Sequence, residues 1–250
     1  MESKIVERLD FLLKPVAVYF ADEKPLSFTQ FEQGKRGCVG SMLIESSQGK
    51  VVLFDEETYG CAGGGVGLCF GDAFTRSGHP TESLLSTGDE ALAALGKSYT
   101  RSLGRGERFF ASPDLAEKWK TEFPYGNNPK KYVVFMPLID TSTEPDLVLV
   151  FANPDQLSAL LIMAGYLRGT AINVIAPFGA ACQSIAWAYQ QIVEEQPKAV
   201  MGFFDISQRG RIPKDLLSLT IPYQLFKEMD DHADDGCLTT EVWLNIAGRS

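Results

Sequence analysis

Five cysteines are the residues of this 250-residue chain best suited to carry chemistry: Cys38, Cys61, Cys69, Cys182 and Cys237. None forms C-x-x-C, so the usual dithiol and zinc-knuckle spacings are absent. Three of them nevertheless share a kind of surrounding. Cys38 stands in Lys35-Arg36-Gly37-Cys38-Val39-Gly40, beside two cations and between two glycines. Cys61 opens the run Cys61-Ala62-Gly63-Gly64-Gly65, and Cys182 closes the turn Pro177-Phe178-Gly179-Ala180-Ala181 where a helix should begin. Neighbouring cations, the free amides of a tight glycine turn and the positive end of a helix each favour the thiolate, the form that binds metal or attacks an electrophile. Cys69, between Leu68 and Phe70, reads instead as a small hydrophobe of the core, and Cys237 as incidental.

Three thiolates rather than four would hold an iron–sulfur cluster or another thiolate-bound metal with one coordination position left open. Arg36 and Arg209 would then bind an anionic substrate or offset the thiolate charge. The competing reading is a metal-free small-molecule domain for an anionic metabolite. Its candidate ligand-binding residues are Gly63 and Gly64 of the glycine turn, the helix starts at Asn153–Gln156 and Cys182, and the same two arginines. A cysteine nucleophile is a third reading, and it lacks a base: the chain has two histidines, His79 and His232, and neither is placed for the task.

Other devices fail on spacing. The glycine-rich run 60–71 lacks Gly-Lys-Ser/Thr, and it misses G-x-G-x-x-G because the sixth position is Leu68 counted from Gly63 and Phe70 counted from Gly65. No NAD or ATP motif is therefore present. Within 230–235, Asp231 and Gly236 would place Ala233 and Val242 at calcium-ligand positions, so this segment reads as a solvated acidic turn. The balance of 23 basic against 32 acidic residues, net −9, argues against nucleic acid as a partner. Met1–Asp10 alternates charged with apolar residues, unlike a secretory signal, and no apolar run approaches the ~20 residues of a membrane span. An odd number of cysteines without an export signal points to reduced thiols in the cytoplasm. A small molecule or a redox partner is expected, and a domain of this size is compatible with a homodimer.

The elements that must position these groups alternate. Helices are expected over 1–13, 81–95, with Thr81 as cap, and 112–123, with Leu115, Trp119 and Phe123 on one face. Others are expected over 154–168 closed by Gly169, from Cys182 to about Val193, and from Pro222 onward. Strands are expected over 16–20, 49–54, 132–137, 146–151, 172–176 and 199–204. Two of these, 132–137 and 146–151, are continuous apolar runs, as expected of strands covered on both faces. Asn153-Pro154-Asp155-Gln156 has the spacing of a capping box. The result is an α/β fold: a mixed or mostly parallel sheet covered by helices, in one domain over 1–250. Two similar strands ending in a polar turn, Pro15–Asp22 and Asp146–Asn153, suggest halves at 1–125 and 126–250.

Across most of its length the chain resembles an uncharacterised bacterial and archaeal family, domain of unknown function 169. The resemblance rests on Pro15-Val16-Ala17-Val18, the Arg36–Cys38 segment, Gly60–Gly64, Pro145–Gln156, Gly179–Cys182 and the Arg209 region. It implies that Cys38, Cys61 and Cys182 are the family's cysteines, and that Cys69 and Cys237 are not. It implies no particular activity.

Overall fold

The computed structural model describes residues 1–78, 80–94, 100–128 and 130–247. It divides into two compact units, Met1–Gly71 with Gly126–Ser250, and Asp72–Tyr125. The larger unit opens with α1 (Lys4–Leu9), β1 (Val16–Ala21), α2 (Val39–Ser47), β2 (Val52–Phe54) and α3 (Ala62–Gly67). The smaller unit is helical: α4 (Ala73–Ser77), α5 (Thr81–Leu85), α6 (Glu90–Ala94), α7 (Thr100–Arg105) and α8 (Pro113–Thr121). The larger unit resumes with β3 (Tyr132–Pro137), β4 (Leu147–Ala152), α9 (Pro154–Gly165), β5 (Val174–Ile175) and α10 (Gln183–Gln191). It ends with β6 (Ala199–Gly202), α11 (Ile206–Arg209), β7 (Leu217–Pro222), α12 (Tyr223–Asp231) and α13 (Glu241–Ala247).

The seven strands form one sheet in the order β2-β3-β1-β4-β7-β6-β5. The sheet is mixed as expected, but its parallel character is confined to β5–β6; every other pair is antiparallel. The continuous apolar runs reported burial on both faces, and β4 is indeed buried at all six residues. That burial comes from helices on both faces, which does not require parallel crossovers. On one face Ala17, Val148, Val150, Leu219 and Ile221 pack with Leu160 and Met163 of α9, Phe226 of α12 and Trp243 of α13. On the other, α2 lies against β3 and α10 against β6 and β7.

β7 is a strand that the expected elements omit. Its burial is complete after Leu217, yet Ser218 and Thr220 interrupt the apolar run, and Pro222 ends the strand while serving as cap of α12. Thr220 faces α10 and shares a 3.0 Å hydrogen bond with Ser184. The glycine-rich run also differs from expectation: 62–67 is helical, because close approach to neighbouring backbone, described below, outweighs poor helix propensity. The helix expected over 81–95 is two short ones separated around Gly88, whose φ is +81°, and Pro80 rather than Thr81 is the cap. Leu95 and His79 lie outside the described residues.

Two expected caps are present. Asn153 accepts from the Gln156 amide and Gln156 Oε1 accepts from the Asn153 amide, both at 2.9 Å, with Pro154 at the first helical position. Ser112 caps α8 with Pro113 behind it. In the smaller unit Trp119 is ringed by Phe74, Phe110 and Phe123, and Ala116 rather than Leu115 is the buried partner on its helix. α9 ends at Gly165, four residues before Gly169.

The acidic turn is partly a clasp. Asp230 Oδ1 accepts from Ser3 Oγ at 2.6 Å and from the Ile5 amide at 2.9 Å, and Asp234 pairs with Lys4 and Arg8, so the start of α1 is capped from α12. The two similar strands, β1 and β4, are antiparallel neighbours with Val16 opposite Leu149. The compact units part at Gly71/Asp72 and Tyr125/Gly126, with 72–125 falling between the two stretches of the larger one. Among the described residues no helix is long and apolar enough to cross a membrane.

Candidate functional site

Each of the three cysteines singled out above is the residue that starts a helix. Cys38 is the cap of α2, Cys61 of α3 and Cys182 of α10. Glycines let these starts meet. A Cβ on Gly67 would lie 3.0 Å from the Cys182 sulfur and 2.9 Å from its carbonyl oxygen. One on Gly64 would lie 2.8 Å from Val39 and 2.4 Å from the Tyr59 carbonyl, and one on Gly40 would lie 3.4 Å from Ala181. Segments 38–40, 61–67 and 181–182 therefore touch one another in pairs, and at Gly64 and Gly67 a side chain cannot fit.

The sulfurs have different partners. Cys61 accepts the Gly64 amide at 3.3 Å. The Cys182 thiol donates to the Gly63 carbonyl at 3.6 Å, and the Cys38 thiol donates to Gln208 Oε1 at 2.9 Å. Burial pushes the Cys61 thiol up, as does Cys38, against the amides of Gly64 and Gly63 and the charge of Arg36. Its residue surface is open to solvent on one side, but the sulfur is crowded by protein on the other. Burial pushes the Cys182 thiol well up, helped by Cys61, Cys38 and Asp205. The local features that favour thiolates are thus present around Cys61 and are outweighed by desolvation. Among the described residues no three Cys, His, Asp or Glu side chains stand arranged around a single metal ion.

Several further residues converge here that the sequence pattern does not single out. Gln208 Oε1 also accepts from Arg211 Nε at 2.6 Å, and Arg211 reaches Ser41 Oγ of α2 at 2.6 Å. Phe203 is fully buried with φ +65°, a left-handed conformation that costs a bulky residue about 1–2 kcal/mol. Its ring packs on Phe151 and would meet a Cβ on Gly40 at 3.3 Å. Gln183, 1% exposed, bonds the Ala180 amide through Oε1 at 2.6 Å and leaves Nε2 without a partner among the described residues. These contacts join residues up to 170 positions apart, so no local spacing announces them.

The remaining sequence candidates have structural work. Arg209 donates to the Leu216 and Lys214 carbonyls, so its guanidinium braces the turn before β7. Gln156 is buried in its capping box, and Nε2 donates to the Leu9 carbonyl at 2.7 Å. Leu9 and Leu157 belong to the core on the other face of the sheet, so Gln156 is separated from the cysteines by the sheet. Gly63 and Gly64 are at the site, but their polar groups are directed to sulfur: the Gly63 carbonyl to Cys182 and both amides to Cys61. Arg36 is exposed and close enough to Cys61 to act on its charge. Cys69 is fully buried in the core, and Cys237 bonds the Ala159 carbonyl on the opposite face.

A mixed sheet between two helical layers, with three thiols at the heads of three adjoining helices, defines an α/β protein built around a sulfur-bearing junction. The chain belongs to the family domain of unknown function 169 (DUF169), described as "Uncharacterised ArCR", whose model matches residues 4–232 and so spans all three cysteines. No curated protein and no solved structure matches the chain.

Proposed function

We propose that the protein holds an iron–sulfur cluster through Cys38, Cys61 and Cys182, with one coordination position left for a small molecule or a redox partner in the reducing cytoplasm. The observation that carries this reading is that three thiols, distant in sequence, head three helices whose first turns are in contact. A cluster is the reading preferred over a single ion, because among the described residues no three such side chains surround one ion. One ion needs its ligands at ~2.3 Å from a common point, whereas a cluster spreads its thiolates to roughly 6–7 Å.

The residues present fit such a group in two further respects. The unpaired Nε2 of Gln183, one residue from Cys182, is a donor of the kind that sulfide and thiolate acceptors use. Arg36 and Arg211 supply positive charge beside Cys61 and Cys38 in a chain that is acidic as a whole. A bound cluster would supply one-electron chemistry and an iron able to take a donor atom from substrate. The chain's own task is to surrender three thiol protons on loading. Gln208 has a specific part, since it accepts the Cys38 proton now and must turn its amide toward a thiolate. The anionic-metabolite alternative is weaker, because the amides it would use at Gly63 and Gly64 are turned to the Cys61 sulfur.

Anaerobic purification with iron and sulfide analysis tests the reading. Bound iron and sulfide with broad visible absorption are expected, lost in Cys38→Ser, Cys61→Ser and Cys182→Ser and kept in Cys237→Ser. Protein that stays colourless and free of both elements after anaerobic reconstitution with ferrous iron and sulfide would overturn it. A rise in melting temperature of that metal-free protein with carboxylate or phosphate metabolites would favour the alternative.

A further inference from the structure

The last turn of α10 closes a cavity of about 240 Å³ at the opposite end of the helix from Cys182. Its walls are Tyr189 and Phe20, whose rings meet at 4.4 Å, with Ile192, Val193 and the Asp146 carboxyl. Asp146 immediately precedes β4, and its Oδ2 accepts the Phe20 amide at 2.7 Å, which lies beyond the end of the β1–β4 ladder at Val18 opposite Leu147. Oδ1 has no partner among the described residues. Lys130 stands at the rim with its ammonium bound to Asp22 at 2.6 Å, and its charge also acts on Asp146 without bonding it.

Three independent features there want positive charge. A half-buried carboxylate has one oxygen to spare. Two aromatic residues, Phe20 and Tyr189, line it. The last carbonyls of α10 form the negative end of a nine-residue helix. Burial pushes the Asp146 carboxyl up from its ordinary range, against the Phe20 amide and the charge of Lys130.

We propose that this cavity is a binding site for a small organic ammonium ion carrying a flat apolar body, its nitrogen on Asp146 Oδ1 and its body between Tyr189 and Ile192. The site is separate from the cysteines and does not depend on how they are used.

Calorimetric titration of the full chain with benzylamine, and with benzoate as the probe of like shape and opposite charge, tests it. Benzylamine should bind, and Asp146→Asn, which keeps an acceptor for the Phe20 amide, should weaken it about tenfold or more. Tyr189→Leu should weaken it about three- to tenfold by removing a ring while keeping bulk. Should Asp146→Asn fail to fold, Tyr189→Leu decides alone. Benzoate binding as tightly as benzylamine, no benzylamine binding at millimolar concentration, or binding unchanged in the folded variants would each overturn the proposal.

Discussion

At the scale of single residues, the three thiols are alike in sequence setting and different in state. Cys61 is exposed, with amides on its sulfur and the charge of Arg36 acting on it, Cys182 is buried, and the Cys38 proton is held by Gln208. Because burial holds the Cys61 thiol above its ordinary range, the metal-free chain presents little thiolate at neutral pH despite that exposure. Iodoacetamide should therefore label Cys61 slowly at pH 7, with a rate rising about tenfold per pH unit until its own raised pKa is passed. Cys182 should stay unlabelled in the folded chain. Peptide mapping by mass spectrometry checks both, and fast selective labelling of Cys61 at pH 7 would show that its amides and Arg36 outweigh desolvation. The same comparison explains what was legible here. Cation, glycine and helix start can be seen in a sequence, whereas desolvation is set by segments that arrive from elsewhere in the chain. Gln208 and Arg211 were invisible for the same reason.

At the scale of elements, α3 sets helix propensity against packing. Its glycines are not equivalent. A Cβ at Gly63 meets only Ala180 at 3.7 Å, an ordinary contact, while those at Gly64 and Gly67 run into backbone oxygens at 2.4 and 2.9 Å. Gly63→Ala should therefore stabilise the chain by up to about 1 kcal/mol through helix propensity. Gly64→Ala and Gly67→Ala should each destabilise it by about 1–3 kcal/mol, since backbone cannot give way as a flexible side chain does. Urea denaturation of the three variants reads the sign. Three losses would mean that Gly63 also needs its missing side chain. The capping box on α9 provides a comparison away from the cysteines: Asn153→Ala should cost ~1 kcal/mol and leave thiol labelling unchanged. The α9 cap was legible because its mechanism lies within four residues. α3 was not, because glycine signals a loop until the neighbours that exclude a Cβ are known.

At the scale of the whole molecule, strands were legible and their directions were not. Apolar runs such as Leu147–Ala152 announce two-sided burial, but antiparallel and parallel pairing bury the same residues. β7 was concealed because its polar residues, Ser218 and Thr220, are inside and its proline is at the end. The fold that results buries Cys69 completely, between the last turn of α3 and Gly126, and burial pushes that thiol from an ordinary 9.0 to about 12. Native and unfolded chains both carry the proton below 9.0, so Cys69 adds nothing to the pH dependence there. Between 9.0 and about 12 the unfolded chain releases it and the native chain does not, so stability falls as pH rises. The loss ends above about 12. Three pKa units correspond to about 4 kcal/mol at most, a large share of the stability of a domain. Lysines and tyrosines titrate in the same range, so the readout is the difference between wild type and Cys69→Ala. Denaturant midpoints from pH 8 to 11 should fall more steeply in the wild type, the variant being less stable at pH 8 and converging with it as pH rises. Parallel curves would mean that the Cys69 thiol ionises in the native core as readily as in water, and that this part of the larger unit opens to solvent before it unfolds.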